Sequence, residues 1–194
     1  MTLMQGELDR NDPEVDSEEL DIEPFIETRK VKDFDCGNQD LNEFLNTNEV
    51  QRYDREGLGK THLVYYKGNL VAYFTTCFSE LRWEYVKHVR AFRRHPSEMV
   101  DAYPGIKIGR LAVQKIWQGK GIGTALLRYI AGMALSLRDQ HGIRLLILQA
   151  KLESIPFYER NGFILTLETR RERKRKNNRT MFLDILEIRE PVGD

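Results

Sequence analysis

Residues 110–130 read RLAVQKIWQGKGIGTALLRYI, with a strand-like apolar run at the start and a helical pattern at the end. Three alternating glycines lie between the two patterns. Backbone N–H groups at a helix N-terminus attract anions, and glycines let phosphate oxygens approach those groups closely. The stretch therefore predicts a phosphate or pyrophosphate site, to which Gln118 and Lys120 add side-chain donors.

Two common nucleotide-binding motifs do not match this chain. The dinucleotide fingerprint GxGxxG fails because Thr124 occupies the position of its third glycine. The GKT at residues 59–61 is not a Walker P-loop, because Asp54 lies where the first glycine of that motif belongs. The alternative interpretation of residues 118–123 is a glycine-rich turn that binds no ligand.

The patterns around the glycines predict a strand, a helix, a parallel strand and a short helix in succession. Residues 106–113 form the first strand, and an apolar stripe predicts a helix over residues 122–142 with its C-cap at Gly142. Residues 143–150 are almost continuously apolar, as in a strand buried on both faces. Ser154 is the expected cap of the short helix. These elements indicate an α/β fold with a mixed sheet.

The remaining elements are read from local signals. Residues 34–57 predict a helix capped by Asn38, and residues 61–78 predict two strands joined by a KGN turn. Residues 81–100 are ambiguous, but their apolar spacing suits a helix that ends near the proline at position 96. Two closing strands are predicted over residues 163–168 and 181–188.

Composition points to one soluble domain. The chain has 194 residues with 30 basic and 30 acidic side chains, so no net charge draws it toward nucleic acid or membranes. No apolar run reaches membrane-spanning length and no signal pattern opens the chain, so we expect a cytoplasmic protein without membrane contact. Two cysteines without a CxxC motif and four dispersed histidines predict no metal site.

Acidic charge is concentrated near the N-terminus. Residues 6–27 are rich in Asp and Glu, poor in aromatics and contain two prolines. Such a composition is typical of a disordered segment. We therefore predict an acidic flexible tail over residues 1–24 and a folded domain over residues 25–194.

Two motifs resemble those of the GCN5-related N-acetyltransferase (GNAT) family. QGKGIG at residues 118–123 resembles the acetyl-CoA loop Q/R-x-x-G-x-G/A, and FYERNGF at residues 157–163 resembles the second family signature. The resemblance covers residues 29–188. It implies the GNAT fold, a mixed and mostly antiparallel sheet with two splayed parallel strands and flanking helices. It also implies direct transfer of an acetyl group from acetyl-CoA to a primary amine.

The resemblance implies roles for individual residues. Tyr158 matches the tyrosine that protonates the departing CoA thiolate. The N–H of Val113 is expected to polarise the thioester carbonyl. The implied cofactor-binding residues are Leu111, Ala112, Val113, Gln118, Gly119, Lys120, Gly121, Ile122, Gly123, Thr124, Ser154 and Phe157.

Two further positions concern the acceptor amine and the family pattern. Glu80 is one candidate for the base that deprotonates the amine, and a water chain or an amine that is already neutral would serve as well. Lys151 occupies a position, seven residues before Tyr158, where many members of the family have asparagine. The contact made by that asparagine is therefore not expected here.

The acceptor amine is not determined by the sequence. FDCGNQDLNEFL at residues 34–45 resembles a branch of the family that includes toxins acetylating aminoacyl-tRNA, which are paired with ribbon-helix-helix antitoxins. Basic residues from Arg170 to Arg179, and others at 90–95, suit RNA contact, solvent exposure or masking by the acidic tail. The alternative functions are thus such a toxin and a non-catalytic acyl-CoA sensor, and a homodimer is compatible with the family.

Overall fold

The computed structural model describes residues 15–26, 31–92, 101–168, 172 and 177–187. Within these ranges the chain forms one sheet with the strand order β1-β2-β3-β4-β5-β7-β6. Strands β4 and β5 are parallel, and the other neighbours are antiparallel. The mixed α/β class is confirmed. The strands are β1 (Leu20–Pro24), β2 (Lys60–Tyr66), β3 (Asn69–Arg82), β4 (Ala102–Val113), β5 (Leu145–Lys151), β6 (Ile164–Leu165) and β7 (Asn178–Asp184).

Local sequence predicts several helix ends, but the single helix expected over residues 34–57 is two helices with a break at Thr47 and Asn48. The Asn38 side chain accepts a hydrogen bond from the Leu41 N–H at 3.3 Å and caps the first helix. The long helix ends at Gly142, whose φ of 64° suits glycine. Ser154 occupies the N-cap position of the short helix as predicted, although its side chain makes no capping hydrogen bond. None of the described helices is long and apolar enough to cross a membrane. The helices are α1 (Gln39–Asn46), α2 (Glu49–Arg55), α3 (Ile122–His141) and α4 (Ile155–Arg160).

Two apolar clusters cover opposite faces of the sheet. Side chains alternate between faces along a strand, and Leu63 of β2 and Tyr73 of β3 belong to one cluster, whereas their neighbours Val64 and Phe74 belong to the other. The larger cluster packs α3 onto the sheet, and the smaller one packs α1 and α2. Strand β5 contributes buried residues to the larger cluster and to a third cluster, which confirms its predicted burial on both faces. These β5 residues are Leu145, Leu146, Ile147 and Leu148.

The helix expected over residues 81–100 is not formed in the described residues of that range. Strand β3 continues to Arg82 and pairs with Ala102, so β4 begins earlier than predicted. Short 3-10 turns follow at Trp83–Tyr85 and Arg90–Phe92, and the Trp83 indole donates a hydrogen bond to the Phe92 carbonyl at 3.0 Å. The apolar spacing reflects packing of these turns under the sheet, which periodicity cannot distinguish from a helix.

The predicted flexible tail is wrong for residues 15–24, and residues 1–14 lie outside the described residues. Strand β1 pairs along β2 from Leu20 with Tyr66 to Pro24 with His62. The backbone N–H of Val15 donates a hydrogen bond to the Lys120 carbonyl at 3.1 Å, and Val15 itself is buried. A few apolar residues in an acidic context were therefore enough to add an edge strand.

A gap opens between the parallel strands β4 and β5. They pair only from Gly105–Ile108 to Leu145–Leu148. Beyond that point β4 follows β3, whereas β5 follows β7. A register shift between Thr75 and Thr76 leaves Gly109 as the extra residue of a β-bulge at the start of the divergence. The splayed strands implied by the family resemblance are thus present.

Candidate active site

Two adjoining cavities occupy the gap and its mouth. The first, here called the cleft cavity, lies between β4 and β5 and has a volume of about 500 Å³. The second, here called the loop cavity, lies beside the glycine loop, α3 and α4 and has a volume of about 780 Å³. They adjoin each other, because six residues line both of them. The shared residues are Leu111, Val113, Gln118, Glu153, Ser154 and Tyr158.

Backbone groups at the end of β4 face the gap in alternation. The Gln114 N–H donates a hydrogen bond to the Val71 carbonyl at 2.8 Å, so position 114 is a hydrogen-bonded pair with β3. In an antiparallel ladder such pairs alternate, which directs the N–H and C=O groups of Val113 and Leu111 away from β3. Ala112 lines the cleft cavity, but its backbone groups face β3. Leu111 and Val113, and not Ala112, therefore offer backbone hydrogen bonds to a ligand.

The glycine loop has the conformation expected of an anion cradle. Gly119 and Gly121 adopt φ values of 79° and 84°, which other residues rarely adopt, and both line the loop cavity. Gly121 immediately precedes α3, whose N-terminal N–H groups therefore begin at the cavity. Gly123 also serves packing, since a Cβ there would lie 3.0 Å from a ring carbon of Phe157. Ile122, Thr124 and Phe157 complete the predicted lining.

Two predicted phosphate donors are used elsewhere. The Gln118 side-chain nitrogen donates hydrogen bonds to the carbonyls of Val113 and Cys36, each at 2.9 Å, which uses both amide hydrogens. The Lys120 ammonium lies 5.3 Å from the centre of the Trp117 ring, and Lys120 does not line the loop cavity. Local sequence could not show this, because the partners of both side chains are set by the folded loop.

Tyr158 lies where the two cavities meet. Its ring makes edge contacts with Phe157 and Phe163 at centroid distances of 5.0 and 5.7 Å. Burial among these rings raises the pKa of the Tyr158 phenol to about 12. The phenol therefore keeps its proton throughout the neutral range and is able to donate it.

The sequence analysis missed a wall of the cleft cavity formed by residues 34–38, here called the Cys36 loop. Cys36, Gly37 and Asn38 line the cavity. The Asn42 side chain accepts hydrogen bonds from the Cys36 N–H at 2.9 Å and from its thiol at 3.1 Å. Asn46 holds the Phe34 backbone through both of its side-chain atoms. Asparagines at positions 38, 42 and 46, spaced by one helical turn, were the signal that could have revealed this wall.

Two arginines at the loop cavity were also missed. Arg128 of α3 and Arg160 of α4 line it together with Glu153, so the fixed charges of its lining are net positive. Arg128 follows Thr124 by one helical turn and shares its face. That spacing was readable in the sequence, whereas the approach of α4 to the same cavity was not.

The other predicted residues fall into three cases. Glu80 is exposed, pairs with Pro104 at the far end of β4 and lines neither of these two cavities. Lys151 lines the cleft cavity at the end of β5. Most of the basic stretch from Arg170 to Arg179, and residues 93–95 of the second one, lie outside the described residues. Glu80 is thus removed as a candidate base.

Comparison with known proteins gives the family. The sequence model of the acetyltransferase (GNAT) domain matches residues 59–165, which is more than half of the chain. The chain belongs to the GNAT acetyltransferase family. It is an acetyl-CoA-dependent N-acetyltransferase, as the resemblance of the two motifs implied, and acetyl-CoA is its co-substrate.

Individual relatives are toxins of this family. A tRNA-acetylating toxin of Mycobacterium tuberculosis (strain ATCC 25618 / H37Rv) is 27% identical over 120 residues, which cover 62% of this chain and 69% of the toxin. The structure of AtaT complexed with acetyl-methionyl-tRNAfMet has a TM-score of 0.72 at 24% identity, covering 87% of this chain and 96% of AtaT. AtaTR bound with AcCoA has a TM-score of 0.67 at 25% identity, covering 88% and 96%.

Proposed function

We propose that this enzyme acetylates the α-amino group of an aminoacyl-tRNA. The observation that carries the proposal is that Val113 and Tyr158 line both of the adjoining cavities. An amine that enters the cleft cavity thereby meets a thioester held beside the end of β4. The tRNA-acetylating relative supports this choice of amine over a small molecule or a protein.

The loop cavity suits the anionic part of acetyl-CoA. The N–H groups at the start of α3 and the left-handed glycines form the cradle for the pyrophosphate. Arg128 and Arg160 add positive charge at the same cavity. The backbone groups of Leu111 and the N–H of Val113 bind the pantetheine arm in the manner of an added strand, while the Val113 carbonyl accepts a hydrogen bond from Gln118. Acetyl-CoA supplies the activated acyl group when bound.

Two groups of the protein assist the transfer itself. The Val113 N–H donates a hydrogen bond to the thioester carbonyl, which makes the carbon more electrophilic. The neutral amine forms the new N–C bond as the C–S bond breaks, and Tyr158 donates its proton to the departing sulfur. Water that enters the open cleft cavity accepts the proton of the amine, and water returns a proton to the Tyr158 phenolate. With its raised pKa, the Tyr158 phenol is available as a donor across the neutral range.

The same proposal gives a use to the basic residues near the site. Lys151 lines the cleft cavity and is placed to contact the phosphates of an acceptor end. The stretch from Arg170 to Arg179 is proposed to extend this contact along the tRNA. A tRNA substrate places the reaction in the cytoplasm.

Labelled acetyl-CoA tests the acceptor. The enzyme is incubated with charged tRNA, uncharged tRNA and a mixture of small amines. We expect label on charged tRNA alone, released together with the amino acid by mild alkali. Label on small amines or protein with none on charged tRNA would refute the proposal. Binding of acetyl-CoA without transfer to any acceptor would instead favour the sensor.

A further inference from the structure

We propose that Gln118 is a positioning residue that holds the Val113 peptide and the Cys36 loop in register with each other. This inference rests on the proposed role of the Val113 N–H as donor to the thioester carbonyl. It assigns the Gln118 side chain to the protein's own backbone and not to a phosphate of acetyl-CoA.

The geometry of the side chain supports this assignment. The nitrogen Nε2 lies 2.9 Å from the Val113 carbonyl oxygen and 2.9 Å from the Cys36 carbonyl oxygen. A primary amide has two hydrogens, and each of these contacts uses one. Gln118 itself is exposed and lies at the start of the glycine loop, so it contributes little to the core.

Gln118 occupies the place that a neighbouring strand has farther back along β4. Up to Ile108, β4 is bordered by β3 on one side and by β5 on the other. At Val113, β5 has diverged and the C=O and N–H groups on that side face the gap. The Gln118 amide satisfies the carbonyl and leaves the N–H of the same residue directed at the cavity. Restraining one group of Val113 restrains the dihedral angles that orient the other.

The second hydrogen bond joins the two cavities. The Cys36 loop is held to the turn after β4 by the Gln118 bond and by a bond from the Lys115 N–H to the Asp35 carbonyl at 2.7 Å. One wall of the cleft cavity is therefore attached directly to the loop that borders the loop cavity. Loss of the Gln118 side chain should displace both this wall and the Val113 N–H that donates to the thioester carbonyl.

The test uses acetyl-CoA labelled with ¹³C at the thioester carbonyl, because its chemical shift reports polarisation of the carbonyl without an acceptor. In the wild-type enzyme we expect the shift of bound acetyl-CoA to differ from that of free acetyl-CoA. Gln118→Ala should move the bound shift back toward the free value and lower the kcat for charged tRNA about tenfold. Its Kd for acetyl-CoA should stay within about threefold of the wild-type value, because the backbone donors remain.

Two variants control for unfolding and for residue type. Gln114→Ala removes the same side chain from the same turn, where Gln114 contributes a backbone hydrogen bond to β3, and should leave the shift and kcat unchanged. Gln118→Arg keeps several N–H donors, as in family loops with arginine at this position, and should restore part of the shift. This variant decides the matter if Gln118→Ala does not fold.

The outcomes separate this inference from the proposed function. A wild-type shift that persists in folded Gln118→Ala would refute the positioning role and leave the Val113 role intact. Bound acetyl-CoA with the free shift in the wild-type enzyme would refute the Val113 role and, with it, this inference. A large loss of acetyl-CoA affinity in Gln118→Ala, with the ¹³C chemical shift unchanged, would refute the positioning role and indicate that Gln118 binds a phosphate.

Discussion

The walls of the loop cavity and of the cleft cavity are built in different ways. Three sides of the loop cavity are β4, the glycine loop and α3, which follow one another in the chain between Ala102 and His141, and α4 completes it. The cleft cavity combines β4 and β5 with the Cys36 loop, about 75 residues earlier in the chain than Val113. Regular elements orient the first wall, whereas asparagine side chains and Gln118 hold the loop of the second.

Because of this difference, the two walls should tolerate side-chain substitutions to different degrees. A helix N-terminus presents its N–H groups because of its own geometry, so the loop cavity depends on few side chains. The Cys36 loop has no strand partner and depends on individual hydrogen bonds. Substitutions should therefore affect acetyl-CoA binding mainly through backbone conformation and acceptor binding mainly through side-chain contacts.

Tyr158→Phe should have the largest effect on the reaction, and it acts where the two walls meet. Removing the proton donor should lower kcat by about 10²- to 10³-fold and leave the Kd for acetyl-CoA nearly unchanged. Steady-state kinetics and calorimetry give both values. Tyr129→Phe is the matched control, because Tyr129 is exposed on α3 and should retain full activity. Wild-type kcat in Tyr158→Phe would refute the general-acid role.

Gly121→Ala should damage the cofactor side through the backbone. The φ of 84° disfavours alanine by about 1 to 2 kcal/mol, so we expect lower stability and an acetyl-CoA Kd raised about tenfold. Urea unfolding and calorimetry measure the two effects. Gly132→Ala should instead stabilise the protein by about 0.5 to 1 kcal/mol, because it lies within α3 and no described atom lies within 4 Å of the added methyl group. Equal acetyl-CoA affinity in both variants would contradict the proposal that the glycine loop binds the pyrophosphate.

Asn42→Ala should damage the acceptor side through a side chain. It removes the partner of the Cys36 N–H and thiol, which should lower the free energy of unfolding by about 1 to 3 kcal/mol. The KM for the acceptor should rise about tenfold, with the Kd for acetyl-CoA changed less than twofold. Asn48→Ala controls for residue type, because the Asn48 side chain makes no capping bond to α2. A rise in the acetyl-CoA Kd without a rise in the acceptor KM would contradict the assignment of the Cys36 loop to acceptor binding.

Arg128→Gln should have the smallest effect. An exposed charge near a phosphate contributes less than about 1 kcal/mol, so the Kd for acetyl-CoA should rise about threefold at low salt and less at high salt. Kinetics at two ionic strengths measure this, and kcat should not change. Arg138→Gln, in the last turn of the same helix, should have no effect on affinity. An equal rise in the acetyl-CoA Kd in both variants would indicate a general effect of removing positive charge, and not a contact of Arg128 with the cofactor at the loop cavity.

Much of the cofactor side was predictable because its signals are local. Hydrophobic periodicity gave α3, and Gly142 gave its end. The glycines at positions 119 and 121 do adopt the left-handed conformation that only glycine adopts readily. The assignments of Gln118 and Lys120 to phosphate stay predictions, because a donor's partner depends on which groups the fold brings near it, and here protein groups lie near both side chains.

By itself, the sequence determined the family, the strand–loop–helix proposed to receive acetyl-CoA and the tyrosine between the two cavities, because each rests on residues close together in the chain. Tertiary structure alone decided three other features: the edge strand made from part of the acidic segment, the point at Ile108 beyond which β4 and β5 part, and the Cys36 loop as a wall of the cleft cavity. These features arise from contacts between distant segments, whose free energy depends on burial and on hydrogen-bond partners that local pattern does not encode.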